Sequence, residues 1–80
     1  MALTTTAVLD IVDAFVRRVK NRVEPVGPET LMRGDESALN LDSLQTAELS
    51  ATLEDELGSD PFSEGLLPET VGEIIEFYVN

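Results

Sequence analysis

The 80-residue chain contains no cysteine, no histidine and no tryptophan. Without cysteine and histidine it can form neither a Ser-His-Asp or Cys-His nucleophilic system nor a Cys/His zinc site. No disulfide can form, which suits the cytoplasm. The amino terminus lacks the basic residues of a secretory signal peptide, and the most apolar stretch, 7–16, is too short to span a membrane. We therefore expect a cytoplasmic, non-catalytic protein without a metal site.

Basic residues are scarce and confined to one part of the chain. Residues 34–80 contain twelve acidic side chains and no basic one. Nucleic acid and anionic membranes repel such a segment, whereas basic protein surfaces attract it. Most of these carboxylates serve solubility, and a steering role is expected only on the helix predicted over 43–57. The five basic residues are Arg17, Arg18, Lys20, Arg22 and Arg33.

The hydrophobic periodicity predicts an all-α protein that forms one domain over residues 1–80. The Thr4–Thr6 run offers N-caps for a first helix that extends to about Arg22. A last helix begins at Thr70, with Glu73 at capping-box spacing. The predicted core positions on these two helices are Val8, Val12, Phe15, Val19 and Val23, and Val71, Ile74, Ile75 and Tyr78.

Two irregular segments separate these helices from a central one. The first, 24–41, begins with a Pro- and Gly-rich break, and a loop of this length needs apolar side chains that enter the core. The second, 58–69, has room for one short helical turn after Gly58, a natural helix C-cap. The predicted core side chains are Leu31, Met32, Leu39 and Leu41 in the first segment and Phe62 and Leu66 in the second.

The central helix, predicted over 43–57, carries two apolar faces. Asp42 and Gln45 have the spacing of a capping box, so the helix begins at Ser43. Leu49 and Leu53 lie on the face that packs on a core. The opposite face is also apolar, although a small domain needs to bury only one face of a helix. We therefore expect the second face to meet a partner.

The residues Asp42-Ser43-Leu44, 46–49 and 53–57 match the motif and second helix of the acyl carrier protein family, which this sequence resembles. The resemblance covers most of the chain. Asn40 stands where that family usually has Gly, and Asn is the residue that best tolerates positive φ in its place. The resemblance implies a small four-helix bundle, with three main helices, a short third helix and a long loop between helices 1 and 2. It also implies that Ser43 carries 4′-phosphopantetheine, derived from coenzyme A, whose thiol holds acyl groups as thioesters.

The resemblance further implies a set of protein partners. These are a phosphopantetheinyl transferase, a loading enzyme (an acyltransferase or an adenylating ligase), and a ketosynthase or another acyl-transferring enzyme. The chain is expected to act as a monomer. The implied recognition residues surround Ser43 on the outer face of the helix and are Asp42, Leu44, Ala47, Glu48, Ala51, Glu54 and Asp55.

Several alternatives remain open at this point. The sequence favours a discrete carrier of polyketide or related specialised metabolism, and a peptidyl or aminoacyl carrier of a non-ribosomal peptide-type pathway is the alternative. A third hypothesis is an unmodified acidic helical adaptor that binds a basic partner through Leu44. A serine at a helix N-terminus is usually only part of the cap, so the function depends on whether Ser43 is modified.

Overall fold

A computed structural model describes residues 4–21 and 24–79 of the chain. These ranges contain three helices, α1 (Thr5–Lys20), α2 (Ser43–Leu57) and α3 (Val71–Val79). They contain no strand, only an isolated antiparallel bridge between Leu31 and Thr70. The all-α class predicted from the sequence is confirmed. No helix in these ranges is long and apolar enough to cross a membrane.

Helix α1 is the element on which the other two helices pack. Its N-cap is Thr4, whose hydroxyl accepts a hydrogen bond from the N–H of Ala7 at 3.1 Å. The helix ends at Lys20, and Asn21 adopts the left-handed conformation at φ 52°. The predicted end at Arg22 and the predicted core residue Val23 lie outside the described residues. The fully buried side chains of the core are Val8, Val12, Val16, Leu49, Leu53, Val71 and Ile74, with Phe15 and Leu39 almost completely enclosed.

The long segment 24–41 is held against the start of α3 by backbone hydrogen bonds. The N–H of Met32 donates to the carbonyl of Glu69 at 2.9 Å, and the N–H of Gly72 donates to the carbonyl of Pro28 at 2.7 Å. A Cβ at position 72 would lie 2.9 Å from that carbonyl oxygen, so the contact requires glycine. These bonds explain how a long loop without regular structure is ordered in a small domain.

Three of the four predicted core residues of this segment point inward. Met32 and Leu39 are buried and Leu41 is half-buried, whereas Leu31 is 45% exposed, so its prediction as a core residue was wrong. Leu31 forms the bridge with Thr70 in extended backbone, where successive side chains point to opposite sides. Since Met32 points into the core, Leu31 points outward.

The segment between α2 and α3 forms turns where a short third helix was predicted. Over 61–65 the N–H of Gly65 donates to the carbonyl of Phe62 at 3.1 Å, and that of Leu66 donates to the carbonyl of Pro61 at 3.0 Å. Phe62 packs against the core, half-buried, as predicted. Leu66 was also predicted to fill the core, but it is 48% exposed because the turn directs it outward.

Candidate functional site

Helix α2 begins at Ser43 because Asp42 and Gln45 close a capping box. The N–H of Gln45 donates to Asp42 Oδ1 at 2.7 Å, and the N–H of Asp42 donates to Gln45 Oε1 at 3.2 Å. The helix ends at Leu57, and Gly58 follows in the left-handed conformation at φ 85°. The bounds and both caps agree with the prediction. The start of α2 is thus fixed by side chains that lie within three residues of Ser43.

Ser43 is the first residue of α2, and its side chain is exposed. Its hydroxyl makes no hydrogen bond to the residues that the structure describes. The N–H groups of Ser43 and Leu44 lie in the first helical turn, where an α-helix offers no acceptor of its own. The helix dipole adds partial positive charge at this end. Ser43 therefore presents a free hydroxyl beside backbone donors that favour an attached anion.

The loop that leads to Ser43 is closed by Asn40. Its backbone adopts φ 49°, a positive value that asparagine tolerates better than other non-glycine residues. The side chain bonds in two directions: Oδ1 accepts from the N–H of Gly34 at 3.0 Å, and Nδ2 donates to the carbonyl of Asp35 at 2.8 Å. Hydrogen bonds from the hydroxyl and N–H of Ser37 lower the pKa of the Asp35 carboxyl. Asn40 therefore supplies both the turn and a side-chain clasp for residues 34–40.

The two apolar faces of α2 have opposite environments. Leu49 and Leu53 are completely buried, whereas Leu44 is 70% exposed. Exposing Leu44 forgoes roughly 1.5–3 kcal/mol that burial of a leucine side chain would contribute. The remaining residues predicted to recognise partners are exposed as well: Asp42, Ala47, Glu48, Ala51, Glu54 and Asp55. The structure thus places the whole predicted set on the solvent side of one helix.

A buried carboxylate, Asp60, was missed by the sequence analysis. It is 1% exposed and accepts from the hydroxyl of Ser50 at 2.8 Å, from the N–H of Ser63 at 2.9 Å and from the hydroxyl of Ser63 at 2.8 Å. Burial raises the pKa of Asp60, but the hydrogen bonds from Ser63, Ser50 and the N–H of Phe62 outweigh it, so the pKa lies below 3.8. The network fastens the 59–63 segment to α2.

Tyr78 fastens the same segment to α3. Its hydroxyl donates to the carbonyl of Ser59 at 2.8 Å, and its ring meets the ring of Phe77 edge-on, with centroids 4.9 Å apart. Burial, and then the negative charge of Asp60, raise the pKa of Tyr78 to about 12. The Asp60–Ser63 spacing is that of a helix cap and was the one sequence signal for this network. Its link to Ser50 depends on tertiary packing, which the sequence pattern does not show.

The described residues give no indication of a metal site. Over 4–21 and 24–79, no group of three or more acidic side chains is placed to hold a metal ion. Comparison of the chain with protein-family models, curated proteins and solved structures finds no match. The functional inference therefore depends on the geometry around Ser43.

Proposed function

We propose that this chain is an acyl carrier protein and that Ser43 is the residue that carries 4′-phosphopantetheine. The observation that carries the proposal is the pairing of an exposed Ser43 with an exposed Leu44 at the capped start of α2. The hydroxyl is accessible to a modifying enzyme, and the neighbouring leucine offers that enzyme an apolar contact. A serine that served only the cap would need neither feature.

The residues present fit the proposed group. The exposed Ser43 hydroxyl can form a phosphodiester, and the first-turn N–H groups can stabilise its negative charge. Among the described residues, no side chain is hydrogen-bonded to the Ser43 hydroxyl as a base, so we assign the base that activates it to the transferase. When bound, the group supplies a thiol that holds acyl intermediates as thioesters. The chain itself supplies attachment and presentation.

The outer face of α2 is the proposed docking surface for partner enzymes. Leu44, Ala47 and Ala51 provide its apolar strip, and acidic residues provide its border. None of the acidic border residues pairs with a cation among the described residues. The surface is therefore complementary to a basic patch with an apolar centre. The border residues are Asp42, Glu48, Glu54 and Asp55.

The pathway is a further part of the proposal. We favour a monomeric cytoplasmic carrier of polyketide or related specialised metabolism, loaded by an acyltransferase or an adenylating ligase and unloaded by a ketosynthase or similar enzyme. The turns over 61–65 stand where the four-helix bundle of the carrier family has its short third helix. A peptidyl or aminoacyl carrier is the alternative within the class. The exposure of Leu44 also suits an unmodified adaptor.

Enzymatic modification tests the proposal. The wild type, Ser43→Ala and Ser37→Ala are incubated with coenzyme A and a broad-specificity phosphopantetheinyl transferase, and intact masses are measured. A carrier gains one phosphopantetheinyl group in the wild type and in Ser37→Ala, but none in Ser43→Ala. Ser37 is the matched control because it is also exposed and lies in the preceding loop. No gain in a folded wild type would overturn the carrier proposal and leave the adaptor.

A further inference from the structure

A second exposed apolar surface lies between the 61–68 segment and α3. Leu67 is 80% exposed and Leu66 is 48% exposed. With Phe77 of α3 they line a groove of about 360 Å³, which we call the C-terminal groove. Its volume is at the low end for ligand pockets, which suits one or two inserted side chains. No residue of the α2 outer face lines it.

The rim of the C-terminal groove is acidic. Glu73 and Glu76 line it from α3, one helical turn apart, so their carboxylates stand on the same side of the helix. Neither pairs with a cation among the described residues. Residues 34–80 contain no basic side chain that could neutralise them. An apolar floor beside two unpaired carboxylates is complementary to a leucine-type side chain flanked by Lys or Arg.

We propose that the C-terminal groove is a docking site for a basic amphipathic helix of another protein, separate from the Ser43 surface. One apolar side chain of that helix enters between Leu66, Leu67 and Phe77, and basic residues one turn away meet Glu73 and Glu76. A second copy of this chain does not fit, because a symmetric contact would bring the acidic rims together in a chain of net charge −11. Nucleic acid and anionic lipid surfaces are excluded as occupants, because their negative charge would be repelled by the same acidic rim.

The test uses model peptides and the full chain labelled with ¹⁵N. The probe is a synthetic amphipathic helix with leucine on one face and lysine on the other. One control peptide has glutamate for lysine and another has serine for leucine. Titration should shift the amides of Leu67, Glu73 and Phe77 with the leucine–lysine peptide alone. Shifts confined to α2, or equal shifts with either control peptide, would overturn the proposal.

Variants decide which surface binds the peptide. Leu67→Ser should weaken binding by about fivefold or more, the usual effect of truncating a central contact. The matched control is Leu31→Ser, which removes another exposed leucine that lines neither the C-terminal groove nor the outer face of α2, and it should leave the affinity within about twofold. Both side chains are exposed, so both variants should keep the wild-type melting temperature. Equal affinities of the two variants would overturn the assignment.

Charge and self-association are tested separately. The double substitution Glu73→Gln and Glu76→Gln should weaken binding at low salt and reduce its dependence on ionic strength. Sedimentation should show a monomer at the concentrations used. A dimer that Leu67→Ser dissociates would overturn the proposal by showing that a second copy fills the groove. None of these measurements involves modification of Ser43, so the proposal stands or falls independently of the carrier function.

Discussion

Replacement of Asp60 should reveal how much of the fold depends on one buried carboxylate. In Asp60→Ala, three hydrogen bonds from Ser50 and Ser63 to a charged acceptor are lost. Each such bond contributes roughly 1.5–3 kcal/mol when its partner stays buried. Ser63 is exposed and Ser50 is half-buried, so water replaces much of what the donors lose. We therefore expect Asp60→Ala to lower the free energy of unfolding by about 2–3 kcal/mol.

The isosteric variant Asp60→Asn should separate geometry from charge. Its amide oxygen can accept from Ser50 and from the N–H of Ser63, while its NH₂ group can donate to the hydroxyl of Ser63. Three neutral hydrogen bonds then replace three charge-assisted ones, which are about twice as strong. The expected cost is about 1 kcal/mol, or half of the cost of Asp60→Ala or less.

Thermal unfolding followed by circular dichroism measures both effects. For a domain of this size, 1 kcal/mol corresponds to roughly 4–8 °C in melting temperature. Asp60→Ala should therefore melt at least about 8 °C below the wild type, with Asp60→Asn between the two. Asp35→Asn is the matched control, because Asp35 also accepts from a serine but is exposed, and it should change the melting temperature little. Asp60→Ala with wild-type stability would refute this role for the buried network.

The wild type and Asp60→Asn should differ in the pH dependence of their stability. Because the pKa of Asp60 is lowered in the folded state, the unfolded state binds more protons in acid. The stability that ionised Asp60 contributes is fully present above pH 3.8, the ordinary pKa of the side chain. It is lost as the pH falls through the lower pKa that Asp60 has in the folded state. Acid also relieves repulsion among the other carboxylates, so the wild-type curve alone mixes two effects. The difference between wild type and Asp60→Asn isolates Asp60, and this difference should shrink in acid.

Three other predictions concern the rest of the molecule. Asn40→Ala should lower the free energy of unfolding by about 1–2 kcal/mol, because alanine is strained in the left-handed conformation. Asn40→Gly should lower it less, because glycine adopts φ 49° without strain, and chemical denaturation measures both changes. Tyr78 is the only tyrosine, so ultraviolet titration should give its pKa directly at about 12, and Asp60→Asn should lower it. Because the folded state favours the neutral phenol, the contribution of Tyr78 to stability is fully present below pH 10. This contribution is lost as the pH rises towards the folded pKa of about 12. Leu44→Ala should slow acyl transfer to partner enzymes while leaving the melting temperature nearly unchanged, because this side chain is exposed.

Features specified by neighbouring residues could be predicted from the sequence. The bounds of α2 follow from Asp42 and Gln45 at one end and Gly58 at the other, all within a few residues of the helix ends. The positive φ of Asn40 followed from the resemblance to carrier proteins and from the tolerance of asparagine for that conformation. The placement of Ser43 at the first helical residue depends only on these local signals.

Features that depend on tertiary packing could not be predicted in the same way. Leu31 and Leu66 are apolar and lie in segments that need core contacts, yet both point outward. Their direction is set by the bridge to Thr70 and by the turn over 61–65, and neither has a periodic signal. The hydrogen bond between Ser50 and Asp60 joins residues ten positions apart, and only the tertiary fold brings them together. Leu66, which lies outside the core, is one of the residues that line the C-terminal groove.

The most direct measurement locates the modification within the chain. After reaction with coenzyme A and the transferase, fragmentation mass spectrometry of the peptide that spans α2 identifies the modified oxygen. A carrier built as proposed bears the phosphopantetheinyl group on Ser43 and leaves Ser37, Ser50, Ser59 and Ser63 unmodified. A group on any other serine, or a folded chain that acquires none, would contradict the assignment of Ser43.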